Sequence, residues 1–446
     1  MNKVGASQID ITPTCEVYLA GTAELRKTVK VQSRLYASVL VVDDGKIRFV
    51  FISLDLLWLD DALCSEVRER VAKVTKTISD HVMVSCTHTH NGPSICKTFP
   101  LIPPDEEVVC EIKNKIVEAA KTAVSQLVKA NMFQAKTTIA RSFNRRVIIE
   151  TGKVWINAGA HDPAIVGAEG PADQELLALW FKDGNNDPIA VLVNYSAHPN
   201  HWCFENIITA DFPGEVCSTI QSGLDDKVPV LYLQGGCGNT DIKDFAKYQY
   251  AKDYDWLEDT KNAGHEIGNK VLELINDTSN TSGTEITLSH QKRVFEAPAR
   301  HIGREDMPLA DASEFLSTCA PKPQTICQGY EPEAWKQYWA ESVVQLEGAK
   351  PFRETYPFET SLYRLGELVI VTNPAEMFVE YQLEVKKQSP FAYTMVAELT
   401  NGYCGYIPTE TAMVNGGYES RLALSSFLSP EAGAMWVKIA VNILSN

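Results

Sequence analysis

The sequence has no apolar run approaching the ~20 residues a membrane-spanning helix needs, so no segment inserts as a span. It has no Gly-Lys-Ser/Thr phosphate loop and no Cys-x-x-Cys pair, which removes the usual nucleotide cradle and the dithiol metal or redox motifs. Positive charge is scarce. Against 57 Asp and Glu stand 41 Lys and Arg, a formal net charge of −16, which argues against a general nucleic-acid surface or an anionic-membrane surface. The opening MNKVGASQIDITPT carries no apolar core of a signal peptide, and the 11 cysteines are odd in number and scattered. Reduced thiols in a cytoplasmic protein are the expectation from both features.

What remains is an ordinary globular composition, 45% apolar and 22% charged over 446 residues, enough chain for a large core. Residues 35–42 (LYASVLVV) and 47–55 (IRFVFISLD) read as a hairpin about a DDG turn. Helical spacing follows at 61–76, a strand at 80–86, and a helix at 105–128. Strands are expected at 189–196, 229–234, 367–372 and 393–399, and helices at 259–276 and 375–387. The fold class expected is α/β, with mixed β-sheets flanked by helices, in one catalytic unit spanning 1–446 with an insertion over 300–345.

Four segments place polar residues directly after buried-looking strands: SCTHTHNGPS (85–94), NYSAHPNHW (194–202), LQGGCGNTDI (233–242) and TNPAEM (372–377). Strand carboxyl ends are where α/β sheets bind ligands. On an extended chain His88 and His90 would point to one side and could meet one metal ion, as neutral imidazoles suit zinc. The alternative is a pair of polar turn residues satisfied by backbone carbonyls. His198 and His201 flank Pro199 and carry the same two readings. Glu376 follows Asn-Pro at the start of an expected helix, where a glutamate can simply answer the helix dipole. The glycines of LQGGCGN expose backbone that could cradle an anion or merely turn tightly.

Taken together and in order, these segments resemble the neutral/alkaline non-lysosomal ceramidase family, zinc-dependent amidases. THTHNGP is similar to that family's THTHSGP, and AHPNHW…ADFPGE to its HPT…SDNKG. LQGGCGN is similar to its glycine loop, NPAE to its PGE, and NGYCGYIPTETAMVNGGYES to its NxYxxYxxT…YEG. The resemblance implies one zinc held by His88, His198, Glu376 and Tyr406, with Tyr406 counted in the catalytic set as well. It implies a substrate-facing His90 as acid/base or oxyanion donor and an active-site Arg145. Gly21, Gly236 and Tyr418 would line the substrate.

Two departures from the family stand out. Asp241 occupies the position of the serine in the family's GDVSPN, so direct attack by water is expected rather than an acyl-serine, with Asp241 assisting the water or binding a polar substrate. The chain also stops soon after YES, where the family usually continues into an immunoglobulin-like domain. The expected function is hydrolysis of an amide, lactam, lactone or ester of a small soluble substrate. True ceramidase or N-acyl-lipid amidase activity and a non-catalytic metal-binding role are the alternatives. An amidohydrolase barrel fits less well, because its H-x-H lies on the first strand. A second metal site at Asp211 and Asp241, and a homo-oligomer, stay open.

Overall fold

The computed structural model describes the chain apart from residues 1, 23–25, 97–101, 157–164, 204, 247–254, 278–282, 284–285, 304–305, 319–332, 349–352 and 446. Its centre is an eight-stranded sheet ordered Val230–Gln234, Pro188–Tyr195, Glu175–Asp183, Val128–Thr138, Lys3–Asp10, Tyr36–Asp43, Arg48–Leu54, Val82–Cys86. The outermost pair at each edge is parallel and the strands between are antiparallel. A second, four-stranded sheet runs Leu288–Pro298, Thr355–Leu365, Leu368–Thr372, Tyr393–Ala397.

The period-two alternation of strands explains why these runs are apolar throughout. Val39, Val41, Val50 and Ile52 face the helices Asp61–Thr75 and Glu106–Ser125 through Val67, Val71, Ile112 and Ile116. The intervening Leu40, Val42, Phe49 and Phe51 face the second sheet at Tyr363, Leu368, Ile370 and Met395. Farther along the first sheet, Ala178 and Trp180 pack on the helices Asp211–Leu224 and Trp256–Asn276. Helix Pro430–Ser445 covers the outer face of the second sheet with Trp436, Ala440 and Ile443. The layers are therefore helices, sheet, sheet, helix, which is the mixed-sheet α/β class expected. Among the described residues no helix is long and apolar enough to cross a membrane.

The hairpin forms as read, with Val41 opposite Val50 and Gly45 at φ +90° in the turn. The strands Lys3–Asp10, Val128–Thr138, Glu175–Asp183, Leu288–Pro298 and Thr355–Leu365 were not expected. Across the expected insertion at 300–345 and just beyond it, helices Leu309–Thr318 and Glu333–Gly348 enclose a small cluster of Ala312, Ala340, Val343 and Leu346 capped by Leu422, and residues 319–332 lie outside the described ones. The long sheet curls until its two edges meet, where the Ser53 hydroxyl donates to the Tyr232 carbonyl at 2.7 Å. That closure joins the strand ends from which the histidine segments depart.

Candidate metal centre

His88 leaves the strand Val82–Cys86 in a left-handed conformation, φ +71°, with its N–H on the Leu56 carbonyl at 3.0 Å. The premise of an extended His-x-His is therefore corrected: a turn, not a strand, brings the two rings together, their centroids 4.9 Å apart. His198 comes from across the sheet, its ring 4.6 Å from that of His88 and nearly perpendicular to it. His88 and His198 are fully buried, whereas His90 is half-buried.

The ring nitrogens can be assigned from their partners. His90 Nδ1 lies 2.7 Å from the Gly21 carbonyl and His198 Nδ1 3.2 Å from the Cys237 carbonyl, so each Nδ1 carries a proton and donates. Their Nε2 atoms then face each other at 2.9 Å. Burial first, then the neighbouring imidazoles and the Arg145 guanidinium, hold both rings well below the ordinary histidine range. Two neutral rings so placed present lone pair to lone pair, which a cation between or beside them relieves. His88 donates Nδ1–H to the Leu57 carbonyl at 3.0 Å and turns Nε2 to Glu376 Oε2 at 3.1 Å.

Glu376 lies in the two-residue strand Glu376–Met377, paired in parallel with Tyr406–Ile407, and not in a helix. Its N–H donates to the Gly405 carbonyl, and the helix begins only at Val379, whose N–H is taken by Asn239 Oδ1. The expected helix over 375–387 therefore loses its first turn to a strand pairing that sets Glu376 beside Tyr406. Burial works to raise the Glu376 carboxyl, but His88 and the hydroxyls of Tyr406 and Tyr403 outweigh it and hold it below the ordinary range. Tyr403, missed in the sequence, donates to Glu376 Oε1 at 2.7 Å, and its ring stacks on Trp58 with centroids 3.7 Å apart.

Arg145 is buried and donates through one nitrogen to the Gly238 carbonyl (2.8 Å), Tyr406 Oη (3.1 Å) and Glu419 Oε1 (3.2 Å). Glu419 in turn accepts from Arg146, so the guanidinium is held by a buried charge network that sequence reading did not find. Tyr418 stands edge-on to the Tyr406 ring at 5.8 Å. At Gly21, φ +94°, an added Cβ would sit 2.6 Å from the His90 side chain, so only glycine fits.

The glycine loop offers no anion cradle. Gly235 donates its N–H to Tyr195 O, Gly236 to Gln382 Oε1, Cys237 to Glu398 Oε1 and Gly238 to Met377 O, so each of these donors is already committed. The tight-turn reading of LQGGCGN is the one the geometry supports. Asp241 is buried and bridges by backbone to His198, and its Oδ1 takes His201 Nε2 at 2.8 Å. His201 Nδ1 faces Asp211 Oδ1 at 3.3 Å. Asp211 and Asp241 thus lie on opposite sides of an imidazole, and a second metal site between them is replaced by this clamp. Burial lowers His201, yet the two carboxylates prevail and raise it to about 9.

Of the residues singled out, the structure gathers His88, His90, His198, Glu376, Tyr406 and Arg145 around one centre. It sets Asp241 beside that centre, engaged with His201. Gly21 and Tyr418 contact its members, and Gly236 lies in the loop behind it. Among the described residues, His88, His198 and Cys237 also form a cluster of metal-capable atoms.

Residues 2–223 match the family model for the N-terminal part of neutral/alkaline non-lysosomal ceramidases. The neutral ceramidase of Pseudomonas aeruginosa is 21% identical over 473 residues, covering 94% of this chain and 68% of that protein. A crystal structure of neutral ceramidase from Pseudomonas aeruginosa superposes with a TM-score of 0.75 at 19% identity, over 99% of this chain and 74% of that one. A ceramidase complexed with C2 gives 0.74 at 18% identity, over the same shares. The chain belongs to the neutral/alkaline non-lysosomal ceramidase family.

Proposed function

We propose that the chain is a zinc-dependent hydrolase of an amide, lactam, lactone or ester in a small soluble substrate. One observation carries this reading: His88 and His198, rings 4.6 Å apart, each commit Nδ1 to a backbone carbonyl, with Glu376 Oε2 3.1 Å from His88 Nε2. Buried neutral imidazoles beside a carboxylate suit zinc by donor type. His88, His198, Glu376 and the Tyr406 oxygen would hold one ion. Zinc in such a cage supplies Lewis acidity, polarising an acyl carbonyl and lowering the pKa of water towards ~7.

The chain's own residues supply the rest. His90, the half-buried ring, keeps Nδ1–H on Gly21 and leaves Nε2 to accept a proton from the attacking water and return it to the leaving group. Arg145 fixes the Tyr406 oxygen and adds positive charge where an oxyanion develops. Asp241, clamped on His201, acts as a positioning residue for His198 through the backbone bridge they share.

A second reading, a ceramidase, is favoured by the relative named neutral ceramidase. Metal analysis and a substrate panel test both. About one zinc per chain is expected in wild type and none in His88→Ala or Glu376→Ala. His90→Ala should keep zinc while losing ~10²–10⁴-fold in turnover. Turnover of a fluorescent ceramide in place of soluble amides and lactones would favour the second reading. Absence of zinc from wild type after zinc is supplied would overturn the metal mechanism. Zinc retained with no turnover of any substrate would favour a binding protein.

A further inference from the structure

We infer that Cys237 is a ligand of the same ion, so that the centre is a nitrogen, oxygen and sulfur site; this rests on the metal-dependent reading above. Cys237 Sγ and one ring nitrogen each of His88 and His198 all lie within 4.8 Å of one another, and all three residues are buried. The sulfur is held there by its own backbone. The Cys237 N–H donates to Glu398 Oε1 at 2.7 Å and its carbonyl accepts from His198 Nδ1 at 3.2 Å. One residue therefore both orients the His198 ring and places a soft donor next to it.

The glycines on either side allow this. A Cβ at Gly238 would fall 2.6 Å from the Glu376 carbonyl, and one at Gly236 would fall 3.2 Å from Val379 Cα. With side chains at those positions the loop would stand away and carry the sulfur out of reach. Cys237 belongs to an apolar cluster that includes Ile208, Ala210 and Leu399, as a buried cysteine filler does, but a filler does not require a sulfur within 4.8 Å of two imidazole nitrogens. On binding, the S–H bond breaks heterolytically, the electron pair stays on sulfur for donation to the ion, and the proton passes to the carboxylate of Glu398, the hydrogen-bond partner of the thiol. A thiolate ligand shifts preference towards zinc and copper(I) and away from magnesium and manganese.

X-ray absorption at the zinc edge tests this on the full chain loaded with one equivalent of zinc. The expected result is one sulfur scatterer at about 2.3 Å beside nitrogen and oxygen at about 2.0–2.1 Å. That sulfur should be lost in Cys237→Ser, with Cys237→Ala as the second variant should serine disturb the loop. A purely nitrogen and oxygen shell in wild type overturns the inference and leaves the metal-dependent reading intact. A sulfur shell that persists in the variants assigns the sulfur elsewhere and also overturns it. Zinc that binds neither wild type nor variants overturns both.

Discussion

His198 and His201 stand three residues apart in AHPNH, both buried, and the structure gives them opposite characters. His198 faces a carbonyl on one nitrogen and another imidazole on the other, and is held well below the ordinary histidine range. His201 faces a carboxylate on each nitrogen and is raised to about 9. The second arrangement is complete as it stands: an imidazolium between two acids leaves no donor or acceptor idle. The first is electron-rich and lacks a positive partner. What decides the chemistry of a buried histidine is the sign of what its second nitrogen meets.

That contrast is open to tests, beginning with the largest effect. His201→Asn leaves Asp211 and Asp241 buried against each other, so a loss of roughly 3–5 kcal/mol in denaturant unfolding is expected, with zinc binding retained. Equal loss of zinc in His201→Asn and His198→Asn would erase the distinction between the two histidines. Zinc at a hundredfold excess over its Kd should stabilise wild type by about 2.7 kcal/mol. The shift should appear in thermal melts of wild type and be absent in His198→Asn.

The pH dependence of the metal-free protein follows next. The folded pKa of His201 lies above its unfolded value of about 6.5, so its contribution is complete below that pH. It is lost as pH rises through about 9, up to roughly 3 kcal/mol in all. Lys243, beside Asp241, runs the other way, because burial pushes it down to about 7. Melting temperature should therefore fall more steeply between pH 7 and 9 in Lys243→Met than in wild type. Parallel slopes would remove Lys243 as the opposing contribution, and a melting temperature flat over this range in Lys243→Met would remove His201 as the source of the fall. The smallest effect is expected of Tyr403→Phe, which takes one hydrogen bond from Glu376 and should weaken zinc by about 10- to 100-fold, read by competition with a chelating dye.

Much of the site was legible because strand ends carry it. His88, His90, His198 and Glu376 each follow a run whose apolar residues mark it as a strand between two packed layers, and the hairpin expected from 35–42 and 47–55 formed about its DDG turn. Glu376 was misplaced on a helix because Pro-Ala-Glu before an amphipathic stretch has the local signature of a helix start. Its pairing with Tyr406 is a contact 30 residues away that no local pattern encodes. The anion-cradle reading of LQGGCGN failed for a related reason: glycines expose N–H groups, but what takes them comes from Tyr195, Met377, Gln382 and Glu398. Tyr403 was visible in NGYCGY as a second phenol, yet its role depends on Trp58 holding the ring flat. Strands such as Lys3–Asp10, with Gln8 and Asp10 in a partly exposed end, lack the alternation that would have marked them.

The sequence by itself determined the α/β class, with apolar strands interleaved with helices, and the donor inventory. Hydrophobic periodicity is written residue by residue, and the side chains able to bind a metal are few. Only the tertiary structure decided which donors share a centre, which histidine keeps a lone pair and which keeps a proton. Those outcomes depend on distances of about 3 to 5 Å between residues from 10 to 108 positions apart, such as His201 and Asp211 or His90 and His198, and the longest of them are set by the curl that brings the two edges of the sheet together.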